Sequence, residues 1–316
     1  MTQQGEFAQS KRAGYWLNYM RILFITPSRI GDAVVSCGIL EGLRLEYPQA
    51  RFTIACGPLT SDLFSRFPAL DRLIVFEKQS YDRHWLWLWG KLAPHLWGMA
   101  VDARGSAITL ALAVRKRHIL RGGRRPGRRY VQLGRAVGFN PPPLPVVWTA
   151  PEDEAAVAFM RGGGPLIALA PTANWEGKVW PAARFVALFA ALAARIPGAR
   201  AVVLGGPGEK EAAMASPILQ ALPDAIDLVG KQTLPEAVAC LRHVTLFVGN
   251  DSGLMHLAAA SGAPTLGLFG RSRASEYAPA GQNTAFIEAP GPEGEAPMDG
   301  LSVEDVAKAA FRLLGI

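Results

Sequence analysis

Two stretches of this chain have residue types and spacing suited to chemistry on a phosphorylated substrate. The first is Gly249-Asn250-Asp251-Ser252-Gly253, which ends an apolar run (residues 244–248) and opens a helical one (254–261). Glycines there let the backbone approach a ligand closely. A helix N-terminus offers unpaired N–H groups and a partial positive charge, which together suit a phosphate. Ser252 can add a hydroxyl donor, and Asp251 can cap the helix or hold a sugar hydroxyl. The plain alternative is that both residues are only N-caps. The second stretch runs from Thr26 to Asp32, between an apolar strand (21–25) and a helix (33–46) that stops before Pro48. Asp32 is either a cap at the start of that helix or a carboxylate at a strand's carboxyl end. Open α/β sheets bind ligands at such ends, and a carboxylate there can act as general base.

Two further groups invite anions. Lys178 lies in a long polar loop (171–181) after the apolar run 166–170, and Thr172 opens that loop. A diphosphate at that strand's carboxyl end would meet both. The segment Arg121-Gly122-Gly123-Arg124-Arg125-Pro126-Gly127-Arg128-Arg129 contains too much glycine and proline for regular helix and reads as a loop. Its arginines suit phosphate and carboxylate groups, because the guanidinium fork donates two parallel hydrogen bonds. It lacks the interleaved aromatic residues of a nucleic-acid platform, so no nucleic-acid partner is expected.

Bulk properties narrow the class. The 316 residues suggest two domains, and with half of them hydrophobic, large cores are expected. Ten cations and no acid lie between Asp102 and Glu152; removing those ten from the net +7 leaves the rest of the chain at −3. The basicity is therefore one patch with a local anionic partner. Cys37, Cys56 and Cys240 are few and far apart, without zinc spacing, which fits a reducing compartment. No stretch approaches the roughly 18 apolar residues of a membrane span, and no signal peptide is evident. The expected protein is cytoplasmic, or at most attached to a membrane surface.

The elements that must position these groups alternate between strand and helix, predicting parallel sheets with right-handed crossovers. The expected domains are an extension (1–20), a first Rossmann-like domain (21–145), a linker (146–164) after Pro141-Pro142-Pro143-Leu144-Pro145, a second Rossmann-like domain (165–300) and a terminal helix (301–316). In the first domain, residues 84–97 form a tryptophan-rich helix with Trp85, Trp87, Trp89 and Trp97. It reads as core packing, with a membrane-interface patch as the alternative. Residues 106–114 read as a helix and 118–120 as a short strand. In the second, Thr233 and Glu236 have capping-box spacing, and 281–297 reads as irregular surface. Gly205-Gly206-Pro207-Gly208 is not G-x-G-x-x-G, so no NAD site is expected.

The string from Asp251 to Pro264 resembles the D-T-G-x-x-H-L-A-A-A-x-G-x-P signature of glycosyltransferase family 9, the ADP-heptose:lipopolysaccharide heptosyltransferases. Asp251, Gly253, His256 and the alanine run match, and Ser252 keeps the hydroxyl of the usual Thr. Lys178, Trp180 and Pro181 match the family's K-x-W-P element, and Gly31-Asp32 its first-loop G-D pair, although the Pro that often follows is missing. The resemblance implies the GT-B architecture: two facing Rossmann-like domains, an active site between them, and a terminal helix that can cross back onto the first domain. It implies an inverting transfer from ADP-heptose to the inner core of lipopolysaccharide, with Asp32 as base and no cofactor. No metal is expected, since no Asp-x-Asp motif is present. Thr172, Lys178, Asp251, Ser252 and Gly253 would hold the donor. Glu209, with Glu211 as the alternative, would meet the nucleoside, and His256 would either touch the donor or orient the loop. Arg121, Arg124, Arg125, Arg128 and Arg129 would hold the anionic glycolipid acceptor, lipid A with its acidic core sugars. Other readings are a GT-B glycosyltransferase with another nucleotide-sugar donor, a non-transferase sugar-nucleotide enzyme such as an epimerase, or a nucleotide- or anionic-lipid-binding protein without catalysis.

Overall fold

The computed structural model describes residues 20–120 and 126–316. They divide into two compact units. The first takes in the described residues up to Leu120 with Val131–Pro143, and the second takes in Pro126–Tyr130 and Leu144–Ile316. The expected extension lies outside the described residues, except for Met20.

In the first unit the chain forms β1 (Arg21–Ile25), α1 (Ile30–Glu46), β2 (Arg51–Cys56), α2 (Ser61–Ser65), β3 (Leu70–Val75), α3 (Arg83–Leu92), β4 (Trp97–Asp102) and β5 (Val114–Ile119). The strands make one parallel sheet in the order β3-β2-β1-β4-β5. A central parallel strand is covered on both faces, so it needs a continuous apolar run; β1 supplies Ile22, Leu23, Phe24 and Ile25, all fully buried. After β1 the chain winds outward to β3, then returns to place β4 on the other side of β1. The two loops at this reversal follow Ile25 and Asp102, which pair in register.

Three expectations change here. The helix predicted over 106–114 is a 3-10 turn (Ile108–Ala111) leading into β5, whose charged edge-strand residues hide its periodicity. Trp97 begins β4 and is buried, whereas α3 exposes Leu86, Trp87 and Trp89 and buries only His84, Leu88 and Leu92. The tryptophan-rich segment is thus a surface helix with a narrow core stripe. Finally, Arg129 starts a helix, α4 (Arg129–Val137), where a loop was expected to run through it.

The second unit contains α5 (Pro151–Ala156), β6 (Leu166–Ala170), α6 (Ala182–Ala193), β7 (Arg200–Val203), α7 (Glu209–Ala221), β8 (Ile226–Asp227), α8 (Leu234–Arg242), β9 (Leu246–Asn250), α9 (Gly253–Ser261), β10 (Thr265–Phe269), α10 (Ala274–Tyr277), β11 (Thr284–Glu288) and α11 (Val303–Leu314). Its parallel sheet runs β11-β10-β9-β6-β7-β8. Gly262 ends α9 with φ +93°, a left-handed conformation that glycine adopts without strain. Thr233 and Glu236 form the expected capping box of α8.

The stretch expected to be a linker is part of this unit. Arg242 donates to the Val147 carbonyl at 3.2 Å and to the Thr149 hydroxyl, His243 lies 3.2 Å from Glu154, and Val147, Val157 and Met160 are buried. The proline run thus ends the first unit without leading into a free tether. The terminal helix α11 buries Val306, Ala307, Ala309 and Ala310 in the second unit's core and packs on α6. Its apolar stripe is satisfied there. Trp180 is the centre of that core. Its ring is fully buried, lies edge-on to Phe185 at 5.0 Å, and donates its indole N–H to the Leu301 carbonyl at 3.1 Å. Trp180→Ala removes this packing and should cost about 3–5 kcal/mol, the range for emptying a buried aromatic site; the shift of the denaturant midpoint measures it.

Candidate active site

The second sheet reverses its winding between β6 and β9, which pair directly, with Ala170 opposite Gly249. Open parallel sheets form a ligand crevice at such a reversal, outside the strands' carboxyl ends. Thr172 and Lys178 follow β6, and Asp251, Ser252 and Gly253 follow β9, so residues separated by some eighty positions meet on one rim. Gly249 is needed for that closeness. A Cβ there would lie 2.8 Å from the Phe247 ring and 2.9 Å from the Ala170 Cβ.

Lys178 donates to Asp251, Nζ to Oδ2, at 2.5 Å. Asp251 is buried, and its other oxygen lies 3.9 Å from Nε2 of His256, itself buried one turn into α9. Asp251 therefore faces the lysine and the histidine and caps nothing. Ser252 occupies the N-cap position, yet its side chain makes no cap bond; its Oγ is buried without a hydrogen-bond partner among the described residues. A buried hydroxyl left unmade costs about 1–3 kcal/mol, so this one is available to a group that arrives at the helix end. Ser272, just past β10 on the same rim, also has a buried Oγ without a partner among the described residues.

Sequence reasoning overlooked Asn250. Its side chain is fully buried, accepts from the Trp180 amide at 3.1 Å and donates to the Pro171 carbonyl at 2.7 Å. It clasps both ends of the loop that carries Thr172 and Lys178. An amide held between two apolar runs is the only signal the sequence gives of this role. Thr172 is buried, and its methyl lies 3.2 Å from where a Cβ on Gly205 would stand, so the loops after β6 and β7 abut. Glu209 is exposed on the first residue of α7, while Glu211 is half-buried and accepts from the Gly206 amide at 2.7 Å. Glu211 thus holds the glycine turn, and Glu209 is the carboxylate that points to solvent.

In the first unit Asp32 sits inside the first turn of α1, not at its cap. The helix begins at Ile30, the Ala33 amide already bonds to the Arg29 carbonyl at 2.9 Å, and no side chain caps it. Asp32 has no hydrogen-bond or ion-pair partner among the described residues. The other carboxylate at that sheet's reversal behaves differently. Asp102 is fully buried and accepts from the Arg104 amide (3.1 Å), the Gly105 amide (3.0 Å) and the Ser106 hydroxyl (2.8 Å); burial raises its pKa. Asp102 is spent on its own loop, and Asp32 is not.

Of the arginine cluster, Arg121, Arg124 and Arg125 lie outside the described residues. Arg128 donates to the carbonyls of Ala278 and Pro279, both at 2.7 Å, and burial lowers its pKa. These bonds anchor its segment within the second unit. Arg129 begins α4 and has interactions of its own. The three cysteines are buried and their thiols pushed up, those of Cys56 and Cys240 to about 12, so none is a nucleophile at neutral pH. Among the described residues, no helix is long and apolar enough to cross a membrane.

Known proteins resemble this chain in sequence and in fold. A sequence model of glycosyltransferase family 9 (heptosyltransferase) matches residues 88–297, well over half the chain. Lipooligosaccharide heptosyltransferase 2 of Haemophilus influenzae is 26% identical over 309 residues, covering 85% of this chain and 88% of that one. Among solved structures, the E. coli ADP-heptose LPS heptosyltransferase II superposes with TM-score 0.75 at 22% identity, covering 93% of this chain and 98% of that one. The E. coli heptosyltransferase WaaC, solved with ADP, gives TM-score 0.74 at 17% identity, covering 93% and 100%. These likenesses carry the GT-B fold class, with its two parallel-sheet α/β units. On the strength of the family match, this chain belongs to glycosyltransferase family 9, the heptosyltransferase family, and is a glycosyltransferase.

Proposed function

We propose that the enzyme transfers a heptose from ADP-heptose to the inner core of lipopolysaccharide, with inversion and without a metal ion or other cofactor. The observation that carries this is the unpartnered Ser252 hydroxyl at the N-terminus of α9, beside the Lys178–Asp251 pair. It is a ready anion site at the reversal of the second sheet, and the WaaC structure named above holds ADP. In this reading the α9 amides, Ser252, Thr172 and Lys178 take the diphosphate, with Gly253 allowing close approach. Glu209 takes the ribose hydroxyls, and His256 steadies Asp251.

Asp32 is the base. It takes the proton from the acceptor hydroxyl as that oxygen bonds to the anomeric carbon and the bond to the ADP oxygen breaks. Negative charge then grows on the departing diphosphate, where fixed donors stabilise it without reorganising. Arg121, Arg124, Arg125 and Arg129 supply cations for an acceptor that carries phosphate and carboxylate groups, lipid A with its acidic core sugars. The enzyme works at the cytoplasmic face of the inner membrane, where such an acceptor is anchored.

Calorimetry tests the donor site. ADP should bind with the same affinity in EDTA and more tightly than UDP or GDP. Lys178→Ala should weaken ADP about ten- to a hundredfold, the scale of one charge-assisted hydrogen bond; an unchanged affinity removes Lys178 from the donor site. Asp32→Asn should retain ADP binding and lose transfer by about 10²-fold or more, the contribution of a general base. Near-normal turnover of that variant would assign the proton to another group.

A further inference from the structure

The outward face of α3 has no use in the reaction above. On this helix His84, Leu88 and Leu92 fall on one stripe and are buried in the first unit's core. Phe76 and Trp85 flank that stripe and lie face to face with Arg104, whose guanidinium carbon is 5.1 Å from each ring. Leu86, 73% exposed, stands opposite it, and Trp87, 46% exposed, to one side. Trp89, 41% exposed, leans to the side and donates its indole N–H to the Ala111 carbonyl at 3.0 Å. That bond ties the helix to the 3-10 turn Ile108–Ala111, whose Leu110 is 63% exposed. Arg117 braces the same turn, donating to the carbonyls of Thr109 (2.8 Å) and Leu112 (3.1 Å). Three exposed apolar side chains thus stand on a helix without an acidic residue, and Leu110 stands on the turn tied to it.

The surrounding charge is of one sign. Between Glu77 and Leu120 seven cations stand against three acids. Of those acids, Asp102 is fully buried and Asp82 faces Arg104. Lys91 hangs over the Trp87 ring, 5.6 Å from its centroid, and Arg83 opens the helix. Arg115, also exposed, lies on the edge strand β5, on the face of the sheet that α3 covers. Tryptophan prefers the headgroup layer of a bilayer, and lysine and arginine beside an apolar helix face are drawn to anionic lipids.

We infer that Leu86, Trp87, Trp89 and Leu110 form a docking face for an anionic phospholipid bilayer, seated in the headgroup layer and rimmed by Arg83 and Lys91. The inference rests on the heptosyltransferase reading only in that a lipid-anchored acceptor gives such docking a purpose. The face itself is built from this chain's residues. It would hold the first unit, with Asp32, at the surface where the acceptor's sugars emerge.

Co-sedimentation with vesicles tests it. The full chain should bind phosphatidylglycerol–phosphatidylcholine vesicles at low salt and bind pure phosphatidylcholine at least about tenfold more weakly. The double variant Leu86→Ser with Trp87→Ser should lose at least about tenfold in binding to the anionic vesicles, since two exposed apolar side chains leave the headgroup layer. Leu45→Ser, a comparably exposed leucine on α1, should bind like the parent. Unaltered thermal unfolding and ADP affinity show that the double variant is folded. Its transfer to a deacylated, water-soluble acceptor should match the parent, while transfer to vesicle-borne acceptor falls. Full-strength binding by the double variant overturns the proposal, as does failure of the parent to bind anionic vesicles. A parent dimer that the same double substitution splits would make the face a contact between copies and also overturn it. Failure of transfer to the soluble acceptor by the parent would instead count against the heptosyltransferase reading, leaving the vesicle result to stand alone.

Discussion

The site in the second unit depends on one buried amide. Asn250 has no access to solvent, and both ends of its side chain are satisfied by backbone, the oxygen by the Trp180 N–H and the nitrogen by the Pro171 carbonyl. Only one orientation of the amide meets both demands, so the geometry assigns it. The loop between β6 and α6 is eleven residues long and carries polar groups that no sheet pairs. Clasped at both ends by Asn250, it cannot drift from the end of β9. Trp180 extends the clasp into the core through Phe185 and Leu301, and Arg184 donates to the same Leu301 carbonyl. The position of Lys178, two residues before Trp180, is therefore set by this buried clasp.

The two units repeat one winding. Each starts in mid-sheet, adds two strands outward on one side, then reverses to the other side of its first strand. Each reversal leaves two loops side by side at the carboxyl ends, with carboxylates on both rims. In each rim one carboxylate is committed: Asp102 to three donors of its own loop, Asp251 to Lys178. The commitments differ in consequence. Asp102 closes a turn and is chemically silent, whereas Asp251 fixes a cation.

Central strands were legible in the sequence because burial on both faces requires unbroken apolar runs; β6 and β10 fall where those runs end. Edges were not. β11 lies within a glycine- and proline-rich stretch, is only partly buried and alternates weakly, so it read as irregular. α7 starts behind a glycine turn and contains Pro217, both signals against a helix. The terminal helix showed its amphipathic face plainly, but not which core would receive it. The same limit applies to the site. Residue types and the helix-opening loop pointed to an anion, while the Lys178–Asp251 pair, 73 positions apart, follows from the strand order and from no local pattern. Arg128 read as a free cation because the sequence cannot show that two carbonyls 150 positions later take up its guanidinium.

That pairing bears on how a transferase of this kind would release its product. A lysine left alone on the rim would bind a diphosphate through its full charge, before and after transfer alike, and uniform binding lowers the substrate requirement without speeding the chemistry. Asp251 offsets that charge while fixing the ammonium in place, and Nζ keeps two further N–H donors on a side chain 24% exposed. The net field at rest then comes mainly from the α9 amides and the Ser252 hydroxyl, which are dipoles and act over short range. Dipoles respond most to charge that develops at the leaving oxygen, close to them, and less to charge spread over the whole nucleotide. In the proposed reaction the rim would thus favour the transition state over both bound donor and bound ADP, and the buried carboxylate that at first looks opposed to anion binding would be what makes it selective.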